Sequence, residues 1–218
     1  MERLDAGPFD AAGTDAGTDA CLARDEICNG LDDDCDGAPD DGIACFFLDG
    51  EPVEALRTST CGAAWYSYGT PDSQSANPTP DIRRSGGVVV AIQYGPTCAG
   101  ASVVLITDLP DDGSGGELQV SFVVTPPDAA GLLVSDEDDE CLYDTASGTG
   151  RCDFAWVACC TDGVLLGAFD GDACVELEAG FEMGLEEGMF FLDGSGREIP
   201  RAFGDAMLIC AQIRPAVP

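Results

Sequence analysis

Short apolar runs broken by turn residues dominate this chain from Phe46 onward. In ELQVSFVVT, Leu118, Val120, Phe122 and Val124 fall on one face, with polar positions between most of them. In DFAWVAC, Phe154 and Trp156 do the same. Period two with β-branched and aromatic residues is the pattern of strands whose two faces meet different surroundings. It predicts strands at Phe46–Leu48, Ala63–Tyr68, Gly87–Tyr94, Ser102–Thr107, Glu117–Thr125, Gly131–Ser135, Cys152–Ala158, Val164–Ala168, Ala173–Glu178, Met189–Leu192 and Ala206–Ile213. Dense turn signals separate them: DLPDDGSGG, TPPDAAG, CCTDG, FDGDA and LDGSG. The stretch Cys174 to Gly188 has room for one short helix, which its glycines disfavour. The expected fold class is all-β: an antiparallel β-sandwich or jelly-roll-like domain over 46–218.

The first 45 residues read differently. Residues 1–20, with DAGTDAGTDA nearly a repeat, hold too little apolar surface to offset chain entropy and read as a flexible Asp/Ala/Gly linker. Residues 21–45 carry cysteines as C-x6-C-x6-C-x9-C with aspartates threaded between them. A segment of this size with few apolar side chains needs disulfides and a bound cation to hold a shape. Glu26 to Asp41, EICNGLDDDCDGAPDD, packs seven carboxylates, two cysteines and two glycines into sixteen residues.

Within it, Asp32, Asp34 and Asp36 alternate and are followed by Gly37. An Asp-x-Asp-x-Asp-Gly run wraps oxygen ligands around a hard cation, and the glycine turns the backbone where a Cβ would clash. In the order of a helix-flanked calcium loop, Asp40 takes the ninth position. The twelfth, normally a bidentate glutamate, is Ile43. Asp41 or Asp25 is the expected replacement. A solvated Asp-rich turn is the plainer alternative. A second acidic run, SDEDDECLYD, offers Asp136, Asp138, Asp139 and Asp144 as a further calcium site, against the plainer reading of a solvated loop.

The stretch C-x6-C-N-G-x-D-D-D-C-D-G-x-x-D resembles the Cys/Asp-rich metal-binding motif of MopE-type surface and secreted proteins, common in myxobacteria and related bacteria. The residues that carry the resemblance are Cys21, Asp25, Glu26, Cys28, Asn29, Gly30, Asp32, Asp33, Asp34, Cys35, Asp36, Gly37 and Asp40, about a tenth of the chain. The resemblance implies an exported metal-binding protein. The family is named for a copper-binding protein. Copper is the less favoured metal here, because it prefers imidazole, thioether or free thiolate, and this loop offers carboxylates. Calcium is the expected cofactor.

Charge and absences narrow the function. With 41 acidic residues against 9 basic ones the formal net charge is −32, and every basic residue is an arginine. Salt adaptation and GC-rich codon usage also yield acidic, lysine-free chains, but neither orders the spacing of Asp32 to Asp41. Such a field repels nucleic acid and anionic membranes and attracts divalent cations. There is no histidine, which removes Ser-His-Asp and Cys-His catalysis and His-ligated zinc. There are twelve cysteines and no CxxC pair, which favours disulfides in an oxidising compartment over thiolate metal sites. Cys141 is expected to close a hairpin with Cys152, and Cys159 and Cys160 to pair with Cys174 and Cys210.

Residues 1–20 lack the apolar core of a signal peptide, so the leader of an exported chain is expected upstream of Met1. The expected protein is non-enzymatic, secreted or at the cell surface, calcium-binding, and structural or binding in role. A glycan or another surface protein is the candidate partner, with no nucleic acid and no membrane insertion. One alternative is a carbohydrate-binding or adhesive module using exposed Trp65, Tyr66 and Tyr68. The other is a hydrolase using paired carboxylates.

Overall fold

The period-two alternation resolves into two sheets. The computed structural model describes residues 28, 31, 32, 35, 37, 40, 42–66, 82, 84, 86–95, 97–107, 115–135, 139–156 and 162–213. Of these, 59% are in strands and 4% in helix, so the chain is mostly β.

The strands are β1 (Ala44–Leu48), β2 (Glu51–Val53), β3 (Leu56–Arg57), β4 (Gly87–Tyr94), β5 (Ala101–Thr107), β6 (Gly116–Thr125), β7 (Gly131–Ser135), β8 (Cys141–Asp144), β9 (Thr149–Trp156), β10 (Gly163–Phe169), β11 (Ala173–Met183), β12 (Gly188–Leu192), β13 (Glu198–Arg201) and β14 (Met207–Ile213). A single helical turn, α1 (Gly62–Tyr66), joins them.

The first sheet runs β2-β1-β14-β11-β6-β9-β8. All its pairs are antiparallel. The second runs β13-β12-β4-β5-β10-β7. There β12 and β3 lie parallel to successive stretches of β4, Gly188 beside Gly87 and Leu56 beside Gln93.

The two sheets differ in what covers them, and the sequence shows why. In β6, Leu118, Val120, Phe122 and Val124 are buried while Glu117, Ser121, Val123 and Thr125 are exposed. That sheet has one dry face and one wet face. In β4 and β5, GVVVAIQY and ASVVLIT, burial is nearly continuous. A strand buried on both faces reads as an unbroken apolar run.

The main core joins Phe122, Phe154, Val175 and Ile209 of the first sheet to Val90, Leu105, Leu166 and Phe191 of the second. The other face of the second sheet carries Ala91, Val104, Ile106 and Leu165, which pack against Trp65, Tyr66 and Ile82. Each fully buried Leu, Ile or Phe contributes about 1.5–3 kcal/mol relative to exposure.

Two expectations are overturned. Ala63–Tyr68 is not a strand: Gly62–Tyr66 forms α1, directly after Cys61, with Trp65 and Tyr66 both buried. The adjacent aromatics reach one apolar surface because a helical turn, unlike a strand, does not send neighbours to opposite faces. The short helix that Cys174 to Gly188 had room for does not form over its first part, where the expected strand Ala173–Glu178 is present. Ala173–Met183 is a long strand, with Val175, Leu177 and Ala179 buried. A register shift between Ala179 and Phe181 takes up Gly180.

Four disulfides join described cysteines: Cys28–Cys45, Cys61–Cys98, Cys141–Cys152 and Cys174–Cys210. Cys141 and Cys152 are direct partners in the β8–β9 register and close the expected hairpin. Cys174 and Cys210 are direct partners in the β11–β14 register, so they bond to each other and not to Cys159 and Cys160. Those last two lie outside the described residues.

Candidate functional site

The acidic segment meets the β-structure at β1. Cys45 is a strand residue, paired with Gln212 of β14, and its disulfide to Cys28 has an S–S distance of 2.06 Å. Ahead of it the backbone takes left-handed conformations at Cys35 (φ 69°), Gly37 (φ 102°), Asp40 (φ 51°) and Gly42 (φ 68°). The Gly37 amide donates to Asp32 Oδ2 at 2.9 Å, closing the loop on its first aspartate. Asp40 is buried. Cys35 is disulfide-bonded. Asp25, Asp34, Asp36 and Asp41 lie outside the described residues. Among the described residues no three His, Cys, Asp or Glu side chains gather as a metal site.

In the second acidic run, Asp139 and Asp144 are described and Asp136 and Asp138 are not. Asp144 serves the β8–β9 turn: Oδ1 accepts from the Ala146 amide at 3.0 Å and Oδ2 from Ser147 Oγ at 2.7 Å. The Ser147 hydroxyl and then the Ala146 amide hold its carboxyl below the usual range. Trp65 and Tyr66 of the expected aromatic platform are buried side chains of α1, and Tyr68 lies outside the described residues. Trp156 is in the main core.

A cleft of about 720 Å³ opens where β1 and β2 of the first sheet face β3 and the β12–β13 turn of the second. Its apolar wall includes Ala44, Phe46, Val53 and Ala55, and its polar wall includes Glu54, Arg57, Ser195 and Arg197. Cys28 also borders it, so the cleft adjoins the anchor of the acidic segment.

Asp193 organises one side of this cleft. It is 3% exposed, and its Oδ1 accepts from the Ser195 amide at 2.9 Å, the Arg197 amide at 3.1 Å and the Ser195 hydroxyl. Its Oδ2 accepts from Arg197 Nε at 3.1 Å. Desolvation pushes this carboxyl up. The Ser195 hydroxyl, the turn amides and the Arg197 charge outweigh it, and the group sits below the usual range.

The turn is then pinned to the segment between β2 and β3. The Gly194 amide donates to Glu54 O at 2.8 Å, and a Cβ on Gly194 would stand 2.2 Å from Ala55 O. Only glycine allows that approach.

The sequence flagged LDGSG as a turn and gave no role to Arg57, Asp193, Ser195 or Arg197. The available signal was scarcity: with nine arginines against 41 acids, Arg197 immediately after a tight turn stands out. Arg57 has no such local mark.

No family model, curated protein or solved structure matches this chain.

Proposed function

We propose that this is an exported, disulfide-stabilised, non-catalytic protein with a binding or structural role at a cell surface or in the extracellular space, and that its Cys/Asp loop takes calcium. The two sheets, whose inward residues share one core, are read as a β-sandwich. The supporting observation is the pairing of cysteines: four bridges tie β1, the α1 entry, the β8–β9 hairpin and the β11–β14 ladder. Such bridges persist in oxidising compartments and are rare in reducing ones.

The loop fits a hard cation better than copper. Cys28, Cys35 and Cys45 are all in disulfides, leaving no thiolate there among the described residues, and the donors are carboxylates. The Asp32–Gly37 hydrogen bond and the left-handed turn at Gly37 support that reading, since such a loop turns sharply at its glycine. The resemblance to the MopE-type motif supports the same reading. A weak extracellular site is expected, with Kd of about 10⁻⁴ to 10⁻³ M. Isothermal titration distinguishes the metals: saturable heat with Ca²⁺ that Asp32→Asn abolishes supports the reading, and heat with copper alone overturns it.

The sugar-stacking alternative loses its support with the burial of Trp65 and Tyr66.

A further inference from the structure

We infer that the cleft between β1–β2 and the β12–β13 turn binds the carboxylate of a small organic ligand through Arg57 and Arg197. The proposal rests on the arginines and not on the calcium reading.

Five arginines are described: Arg57, Arg84, Arg151, Arg197 and Arg201. Three are paired with acids away from this cleft. Arg84 holds Glu187 and Glu198, Arg151 holds Asp153, and Arg201 holds Asp49. The other two line the cleft.

Arg197 is held there side-on. It gives only Nε to Asp193, so its two terminal nitrogens make no hydrogen bond among the described residues. Its backbone is fixed as well, since the Arg197 amide also donates to Asp193. Arg57 makes no ion pair or hydrogen bond among the described residues. In a chain with 41 acids and nine bases, an arginine without a carboxylate is the exception that calls for an outside anion.

The remaining charges select the anion. Both oxygens of Asp193 are occupied by donors from its own turn, so it neither offers a cation ligand nor repels an anion strongly. Glu54 stands on the same wall and disfavours a dianion while accepting from a hydroxyl or amide on the ligand. The guanidinium fork matches a carboxylate bidentately. The net charge of −32 opposes multiply charged anions, but at physiological ionic strength charges beyond about 8 Å are screened. The volume of about 720 Å³ lies within the range of small-molecule sites, and Phe46, Val53 and Ala55 supply apolar contact for the ligand body.

Two sources carry this chemistry, an acidic sugar and the C-terminus of an amino acid or peptide. Two probes separate them: sodium D-glucuronate and N-acetyl-L-alanine, each against its neutral counterpart, methyl glucoside and N-acetyl-L-alaninamide. Binding is followed by chemical-shift titration of the full chain in calcium-free buffer, so that failure of the calcium loop leaves this result untouched.

Saturable binding of either carboxylate in the millimolar range, with the neutral counterpart about tenfold or more weaker, supports the site. Glucuronate alone assigns an acidic saccharide, N-acetylalanine alone a peptide or amino-acid terminus, and both a carboxylate with little selection of its body. Arg57→Gln, a substitution at an exposed position, is expected to weaken binding about 10- to 100-fold. Arg197→Lys, which keeps the charge and loses the fork, is expected to weaken it less. No saturation by either probe, or unchanged affinity in Arg57→Gln, overturns the proposal.

Discussion

Asp193→Asn tests whether the β12–β13 turn, and with it one wall of the cleft, is held by a carboxylate. The side chain is 4% exposed and receives four hydrogen bonds, three on Oδ1 and one on Oδ2. Asparagine is nearly isosteric. Its carbonyl oxygen can keep the three bonds on the Oδ1 side, but its amide nitrogen then faces Arg197 Nε, donor against donor. The variant thus loses one charge-assisted bond and the negative charge that strengthens the other three.

Bonds to charged groups are worth about 1.5–3 kcal/mol, and that range is the expected loss at neutral pH. Little of it comes from the Arg197 charge, whose side chain is 59% exposed and screened by solvent. For a chain of this size the loss corresponds to about 3–12 °C in Tm.

The pH dependence follows from the direction of the shift. The folded carboxyl lies below its unfolded value, so its stabilisation is fully present above the unfolded pKa of about 3.9. It is lost as pH falls through the folded pKa. Urea unfolding at pH 7 and at pH values below the unfolded pKa is expected to show the gap between native and variant proteins at the first and its progressive narrowing as pH falls. Equal stability at pH 7, or a gap that does not narrow as pH falls, refutes the role assigned to this carboxylate.

Two further outcomes follow from packing and covalent geometry. Replacing Cys61 and Cys98 together by alanine opens a loop of sequence separation 37, and the chain-entropy relation gives a loss of about 4 kcal/mol, read by chemical denaturation without reductant. Gly163→Ala places a Cβ 2.4 Å from Tyr66 Oη and 2.6 Å from Leu105 O, where a backbone atom cannot step aside. A loss of about 1–3 kcal/mol is expected by thermal unfolding, and an unchanged Tm contradicts the close contact between β10, β5 and α1.

The strands that the sequence announced were those whose two faces meet different or uniformly dry surroundings. β4 is bounded as the apolar run Gly87–Tyr94 is bounded, and β6 follows the alternation of Leu118 to Val124. The strands it missed lie at or near sheet edges or are too short to show a period. β2 and β13 contain Pro52 and Pro200, which demote a run as a strand yet are tolerated on an edge. β3 has two residues.

The short helix at α1 was illegible because five residues complete barely more than one turn. β11 was legible over Ala173–Glu178, where Val175 and Leu177 alternate with Glu176 and Glu178, but Gly180 and the following Met–Gly pair hid its continuation to Met183. The hairpin bridge Cys141–Cys152 is local and could be anticipated. The Cys174–Cys210 bridge depends on β14 lying beside β11, a long-range pairing that spacing does not encode. The cleft is of the same kind, since Arg57 and Arg197 line it only once β3 and the β12–β13 turn are brought together.

The cation loop is the part of the functional reading most directly open to measurement. Thermal unfolding of the full chain in 10 mM Ca²⁺, compared with Mg²⁺ and with NaCl at equal ionic strength, separates a built site from general screening of a charge of −32. For Kd between about 10⁻⁴ and 10⁻³ M, mass action gives about 1.4–2.7 kcal/mol at that concentration, or about 3–11 °C in Tm. The account predicts a shift of this size with Ca²⁺ beyond that of Mg²⁺, lost in Asp32→Asn. Equal shifts with Ca²⁺, Mg²⁺ and matched NaCl would contradict it.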